Sequence, residues 1–205
     1  MMQIDGTNFQ ATALNKVKIK KYDTKKKKFV SAPGMFVLLD GSNSGDFKVI
    51  SYISKKWKDA SYIKEITTAA NWMGHKDYIK IFALTEQKKN FDKLSPKKIL
   101  GLAEMREEQE EGNVLSHIQV KPSAININSG SNKYKKTGYS MLKSLKKLYN
   151  QISLVSVRDD NIEKFYKDNG FVEYAEFPGN FVWYKNIFKR YKLKVQNFFN
   201  RAGMF

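Results

Sequence analysis

Val114-Leu115-Ser116-His117-Ile118-Gln119-Val120-Lys121-Pro122 and, further on, Phe165-Tyr166-Lys167-Asp168-Asn169-Gly170-Phe171 bracket the stretch, residues 114–174, that decides how this chain is read. The first run is a strand, stopped by Lys121-Pro122 because proline cannot donate to a ladder. A polar loop with Asn126, Asn128, Ser129, Gly130, Ser131 and Asn132 follows, and then Lys133-Tyr134-Lys135-Lys136-Thr137-Gly138. From Thr137 to Tyr149 the spacing of Met141, Leu142, Leu145, Leu148 and Tyr149 predicts a helix, with Lys143, Lys146 and Lys147 opposite. Ile152–Val157 reads as a strand, and 161–169 as a short helix stopped by Gly170, which adopts positive φ without strain. A helix opening behind a strand presents N–H groups with no intrahelical partner and the positive end of its dipole, which suits a diphosphate. A solvated basic terminus is the commoner outcome for such a start.

Outward from this stretch, Val17–Lys20 alternates with period two and resumes at Phe29-Val30 beyond the lysine run Lys25–Lys28, a hairpin with a charged tip. That tip is a solvated edge guard or a nucleic-acid contact. Met35–Leu39 reads as a short strand before the turn cluster Asp40–Asn43. Phe47, Ile50, Ile53 and Trp57, then Tyr62, Ile63, Ile66, Ala69, Ala70 and Met73, recur at helical spacing, with Asp46 and Asp59 as caps and Gly74 as a stop. Trp57 and Trp72 are expected as core anchors. Strands follow at 78–84, 99–105 and 114–120, the last two pairing as an antiparallel hairpin around a Glu-rich turn. Phe171–Tyr174 and Phe181–Tyr184 give two more. Beyond them Ile187, Phe188, Tyr191, Val195, Phe198 and Phe199 recur at helical spacing among Lys185, Lys189, Arg190, Lys192, Lys194 and Arg201. Such a basic helix is expected to pack its apolar stripe on its own domain, with nucleic acid, anionic lipid or a partner subunit as other contacts. The order gives a mixed α/β domain with a largely antiparallel central sheet flanked by helices. Its divisions are N-terminal strands at 1–45, helices at 46–74, a core at 75–185 and a basic helix at 186–205.

Residues 114–174 resemble the GNAT superfamily of acyl-CoA N-acyltransferases. Members carry a strand ending V-x-P, then [QR]-x-x-G-x-[GA] at a helix start, then a strand and a helix closing in Y-x-x-x-G-F. Val120-Lys121-Pro122 stands where the first pattern falls and Phe165–Phe171 where the last does; the order of elements matches over 75–185. In one register Lys133 takes the Gln/Arg slot and Gly138 the last, so Lys136 replaces the first glycine. In the other, Lys135 leads. The resemblance implies a GNAT-like fold, acetyl-CoA as co-substrate and transfer of an acyl group, acetyl the expected one, to an amine by direct attack. It implies CoA contacts at Ile118, Gln119 and Val120, where a strand splays from its neighbour, and at Lys133, Lys135, Lys136, Thr137 and Gly138. It makes Tyr166 the general acid toward the thiolate. At Asp159 the family often has an Asn on the pantetheine; a helix cap is the other reading. For the base, Glu104, Glu107 and His117 beside Ser116 are candidates, as is a water chain.

Composition bounds the rest. The chain has 205 residues, 41% hydrophobic and 14% aromatic, which is incompatible with wholesale disorder. It has no cysteine, so neither a disulfide scaffold nor a cysteine-held metal applies, and His75 lacks metal-ligand company. There is no apolar run near the ~20 residues of a membrane span. No signal peptide is legible at the start, and a cytoplasmic setting is expected. Thirty-seven Lys and Arg against twenty acids give +17. That charge leaves a basic nucleic-acid-binding protein, an inactive relative of the GNAT enzymes, or a nucleic-acid- or ribosome-directed transferase as the alternatives. The acidic run from Glu104 to Glu111 is a solvated turn or a rim for a cationic acceptor.

Overall fold

A computed structural model describes residues 11–39, 43–57, 60, 62–73, 78–108, 112–122 and 134–201. Asp59, Gly74, His75 and Lys133, together with most of the loop before it, lie outside them. Five α-helices and nine strands occur among the described residues: β1 (Thr12–Asp23), β2 (Lys28–Leu39), β3 (Ile79–Thr85), β4 (Ile99–Glu108), β5 (Gly112–Val120), β6 (Tyr134–Lys135), β7 (Gln151–Val155), β8 (Val172–Glu173) and β9 (Asn180–Tyr184), in the order β6-β1-β2-β3-β4-β5-β7-β9-β8. The chain forms two compact units. One takes in Met1–Glu104 and His117–Met141, the other Met105–Ser116 and Leu142–Phe205.

In the first unit, β1 (Thr12–Asp23) and β2 (Lys28–Leu39) form an antiparallel hairpin. Its lysine-rich tip turns because Asp23 accepts from the N–H groups of Lys25 and Lys26, and Lys27 takes φ 49°. The short strand expected at Met35–Leu39 is the end of β2. Pro33 is tolerated inside it because the next pairing, to β3 (Ile79–Thr85), begins only at Met35. Helix α1 (Ser44–Lys56) is capped by Asn43, whose side chain accepts from Gly45 and Asp46 N–H at 2.7 and 3.3 Å. The expected cap, Asp46, is instead buried in the first turn, since a cap must precede the helical residues whose N–H groups it receives. Helix α2 (Ile63–Met73) follows.

Strand alternation divides the side chains between two faces. Val37, Leu39, Ile81 and Ala83 join Val49, Ile50, Ile53, Trp57, Ile63 and Ile66 in one buried cluster beneath α1 and α2. Trp57 is a core anchor there, as expected. On the other face Phe36 stacks on Phe82, ring centroids 5.4 Å apart. Each fully buried aliphatic contributes roughly 1.5–3 kcal/mol.

Strands β4 (Ile99–Glu108) and β5 (Gly112–Val120) are neighbours in the sheet. Lys121 N–H donates to the Leu100 carbonyl at 2.9 Å and His117 meets Glu104, so the partners run in opposite senses, the expected hairpin. Gly101 lies against Met141 Sδ and the Gln119 carbonyl, where a Cβ has no room. The helix α3 (Thr137–Leu148) begins in this unit and is held down by β6 (Tyr134–Lys135), a two-residue strand paired with β1 where the loop-like composition of 123–134 ends.

In the second unit, β7 (Gln151–Val155) pairs antiparallel with β9 (Asn180–Tyr184), which pairs with β8 (Val172–Glu173). The parallel register of β5 with β7 is the single pair Val114↔Ser153. On α3, Leu142 and Leu145 are buried as expected, but Ser144 is buried too and Leu148 is exposed. Helix α4 (Asp160–Asp168) and the terminal α5 (Ile187–Arg201) complete the unit. The expectation that α5 packs its apolar stripe on its own domain is overturned: no residue of α5 is buried, and Ile187, Phe188, Tyr191, Val195 and Phe198 are exposed.

Candidate active site

The start of α3 is fixed by a small, partly buried network. Glu86 Oε2 accepts from Lys21 Nζ at 2.7 Å and from the Tyr134 hydroxyl at 2.8 Å. Burial, reinforced by the Glu86 carboxylate, holds the Tyr134 phenol well above its ordinary pKa, so it remains a proton donor. Tyr134 is in turn the first residue of β6. Two residues later Lys136 adopts φ 59°, a left-handed conformation that glycine takes freely and lysine does not. Lys136 is the residue that replaces the first glycine in one of the two registers. The backbone there is the one a glycine would supply.

The ladder of α3 opens with Ser140 N–H donating to the Lys136 carbonyl at 2.9 Å. The N–H groups of Thr137, Gly138 and Tyr139 therefore precede the helical ladder, at the positive end of the dipole. Thr137 is 4% exposed, and its Oγ1 is buried without a hydrogen-bond partner. A buried hydroxyl in that state is costly unless something completes it. Lys136 is exposed beside it. Lys135 turns away, its Nζ 4.3 Å from the centroid of the Phe29 ring on the hairpin.

In the same unit the structure joins two residues that the sequence could only name separately. His117 Nδ1 lies 2.9 Å from Glu104 Oε2. Glu104 is fully buried and the His117 side chain is 22% exposed, so one nitrogen is tied to the carboxylate while part of the ring reaches solvent. The arrangement orients an imidazole, as a base-plus-positioner pair requires. Tyr62, just before α2, lies over that ring with centroids 5.4 Å apart. Tyr62 N–H also donates to Gln119 Oε1 at 3.1 Å, and Gln119 Nε2 donates to the Val120 carbonyl at 2.8 Å. Gln119 thus spends its side chain tying α2 to the end of β5. Periodicity had marked Tyr62 only as a core position; no local signal could show its pairing with His117.

In the second unit, Tyr166 is 8% exposed, its ring packed against Phe165, Phe171 and Phe181 with centroids 5.3–6.0 Å away. The motif explains this locally. Gly170 takes φ 76°, its N–H donates to the Lys167 carbonyl, and Phe171 N–H returns to the Tyr166 carbonyl. That reversal lays Phe171 on Tyr166. Asp159 caps α4, accepting from the N–H groups of Asn161 and Ile162 at 2.9 and 3.1 Å. Of its two readings, the cap is the one seen. Among the described residues no group of His, Asp and Glu could hold a metal ion, and no helix is long and apolar enough to cross a membrane.

No family profile matches the chain, and no curated protein matches it. Solved structures do. The PaiA N-acetyltransferase of Thermoplasma acidophilum, solved with coenzyme A, is 15% identical, with a TM-score of 0.41 over 73% of this chain and 96% of its own. A GNAT-family acetyltransferase of Desulfovibrio desulfuricans is 10% identical, with a TM-score of 0.45 over 74% and 98%. An acetyltransferase of Thermus thermophilus is 11% identical, with a TM-score of 0.44 over 72% and 94%. Along about three quarters of its residues, the chain is thus similar, in partial overlap, to solved acetyltransferases.

Proposed function

We propose that the chain is a CoA-dependent N-acyltransferase of the GNAT kind, moving acetyl from acetyl-CoA to an amine. The observation that carries the reading is the start of α3. Lys136 stands in a glycine-like conformation, three N–H groups lie ahead of the helical ladder, and the Thr137 hydroxyl is buried with no partner. A diphosphate supplies the acceptor oxygens such a terminus lacks, and the Lys136 ammonium balances its charge. The pantetheine arm would then run along the backbone of Ile118, Gln119 and Val120, the contacts that the resemblance implies.

The chemistry follows from two proton movements. The amine nitrogen attacks the thioester carbon, the carbon–sulfur bond breaks, and an amide and CoA thiol result. His117, oriented by Glu104, takes the proton released from the amine. The Tyr166 hydroxyl returns one to the departing thiolate, a role that rests on the likeness of its motif. Asp159 we assign to capping α4.

The test is a thermal titration of the whole chain with CoA and with acetyl-CoA, followed by release of free thiol on adding amines. Ligand at about a hundred times its Kd stabilises the folded state by about 2.7 kcal/mol. A melting temperature that stays fixed at millimolar CoA, with tight salt-sensitive binding of DNA or RNA instead, overturns the reading in favour of a nucleic-acid binder.

A further inference from the structure

Helix α5 is mounted with its polar side inward. Asn197 accepts from Ala175 N–H at 3.0 Å and donates to the Glu173 carbonyl; Asn200 donates to Glu176 at 2.8 Å. Arg201 pairs with Glu173, and the Arg190 guanidinium lies 5.8 Å from the Trp183 ring centroid. The side turned to solvent is the apolar one. Ile187, Phe188, Tyr191, Val195 and Phe198 fall within an arc of about 100° on a 3.6-residue helix. Their exposures are 64, 79, 69, 38 and 66%. An arc of five large apolar side chains in contact with water is more than scattered surface hydrophobes explain. The exposed lysines Lys192 and Lys194 flank it, one on either side, and no acidic residue occurs after Glu176.

We propose that this face docks on an anionic lipid surface, α5 lying in the plane of the headgroups. Charge complementarity selects the occupant. A second copy seated by a two-fold axis would set lysines against the same lysines, and like charges brought together oppose the contact. A nucleic acid would satisfy the lysines and stack on the rings, but Ile187 and Val195 offer a base nothing to stack on. An anionic bilayer takes every part. The rings and aliphatics enter the acyl boundary while the lysine stems reach to the phosphates. The polar inner face, hydrogen-bonded to its own unit, holds the helix so that the apolar arc leads.

The experiment is flotation of the whole chain with vesicles of phosphatidylcholine alone and with about 30% phosphatidylserine added. The expected result is binding at least about tenfold stronger to the anionic vesicles. The double variant Phe188→Ser, Phe198→Ser should lose at least about tenfold of it. Its melting temperature should hold, because exposed rings leave no cavity. Each of Lys192→Gln and Lys194→Gln should cost about fivefold. Phe188→Trp, which keeps the apolar face, should show a blue-shifted emission on vesicle addition. Equal vesicle binding by wild type and the double serine variant overturns the proposal, as does no preference for the anionic vesicles. So does a dimer in sedimentation, or a nucleic-acid complex, that the double variant abolishes.

Discussion

Lys136 carries a conformational strain that its neighbours do not. The left-handed region costs an L-residue about 1–2 kcal/mol, partly offset in a glycine by the extra freedom it has when unfolded. Lys136→Gly should therefore stabilise the chain by roughly 0.5–1 kcal/mol, a rise in Tm of about 2 °C for a chain of this size. A lower Tm would mean that the lysine side chain contributes more than its backbone costs. His117 and Glu104 invite a different measurement. His117→Ala should lower kcat by about 10²-fold while leaving KM for acetyl-CoA within a few-fold. Tyr166→Phe keeps the ring among Phe165, Phe171 and Phe181, so the fold should persist while thiol release slows about 10²-fold. Turnover unchanged in either variant removes that residue from the mechanism.

At the scale of an element, α3 shows how a basic face is reconciled with packing. Lys143 and Lys147 are exposed, but Lys146 is half-buried, its Nζ over the Phe171 and Trp183 rings and bonded to the Asn169 carbonyl. Burial first, and the Arg190 charge second, pull its pKa from 10.5 down to about 8. The folded state therefore binds this proton less tightly than the unfolded one. Between about pH 8 and 10.5 the unfolded chain holds more protons, so stability rises with pH across that window. Below it the full penalty is present. Relative to wild type, Lys146→Met should be at its most favourable at pH 7 and lose of order 1 kcal/mol of that standing by pH 10, after allowance for solvent screening. Urea midpoints of both proteins at the two pH values check this; a constant gap refutes it. The pairing of Lys146 with Phe171 joins residues from separate motifs, and neither periodicity nor spacing could have shown it.

For the whole molecule, the charge of +17 is the dominant electrostatic fact. Acid pairs relieve it locally: Glu173 receives Lys167 at 3.0 Å and Arg201 at 3.7 Å. Burial pushes its carboxyl up, but the Gly179 N–H hydrogen bond, then Lys167 and the Arg201 charge, outweigh it and hold the carboxyl below the ordinary range. Most lysines have no such partner in their immediate sequence, and they repel one another at a range set by the Debye length. Raising sodium chloride from about 20 mM to about 0.3 M should thus raise Tm by a few degrees in a non-binding buffer. A flat or falling Tm would show that the charges are already compensated in the fold.

The run of apolar residues at periods of two and of three to four is enough for the helices and for the strands other than β6, because those periods are set by backbone geometry and not by context. The Phe165–Phe171 motif announced its own turn, since only a glycine-like φ at Gly170 can bring the chain back over Tyr166. Other features depended on residues far apart in the chain. The hold of Glu86 on Lys21 and Tyr134, which makes β6 a strand, joins three separate segments. So does the union of His117 with Glu104 under Tyr62. The direction of α5 was likewise open: amphipathy shows that a helix has two faces, and only the hydrogen bonds of Asn197 and Asn200 decide which one turns inward.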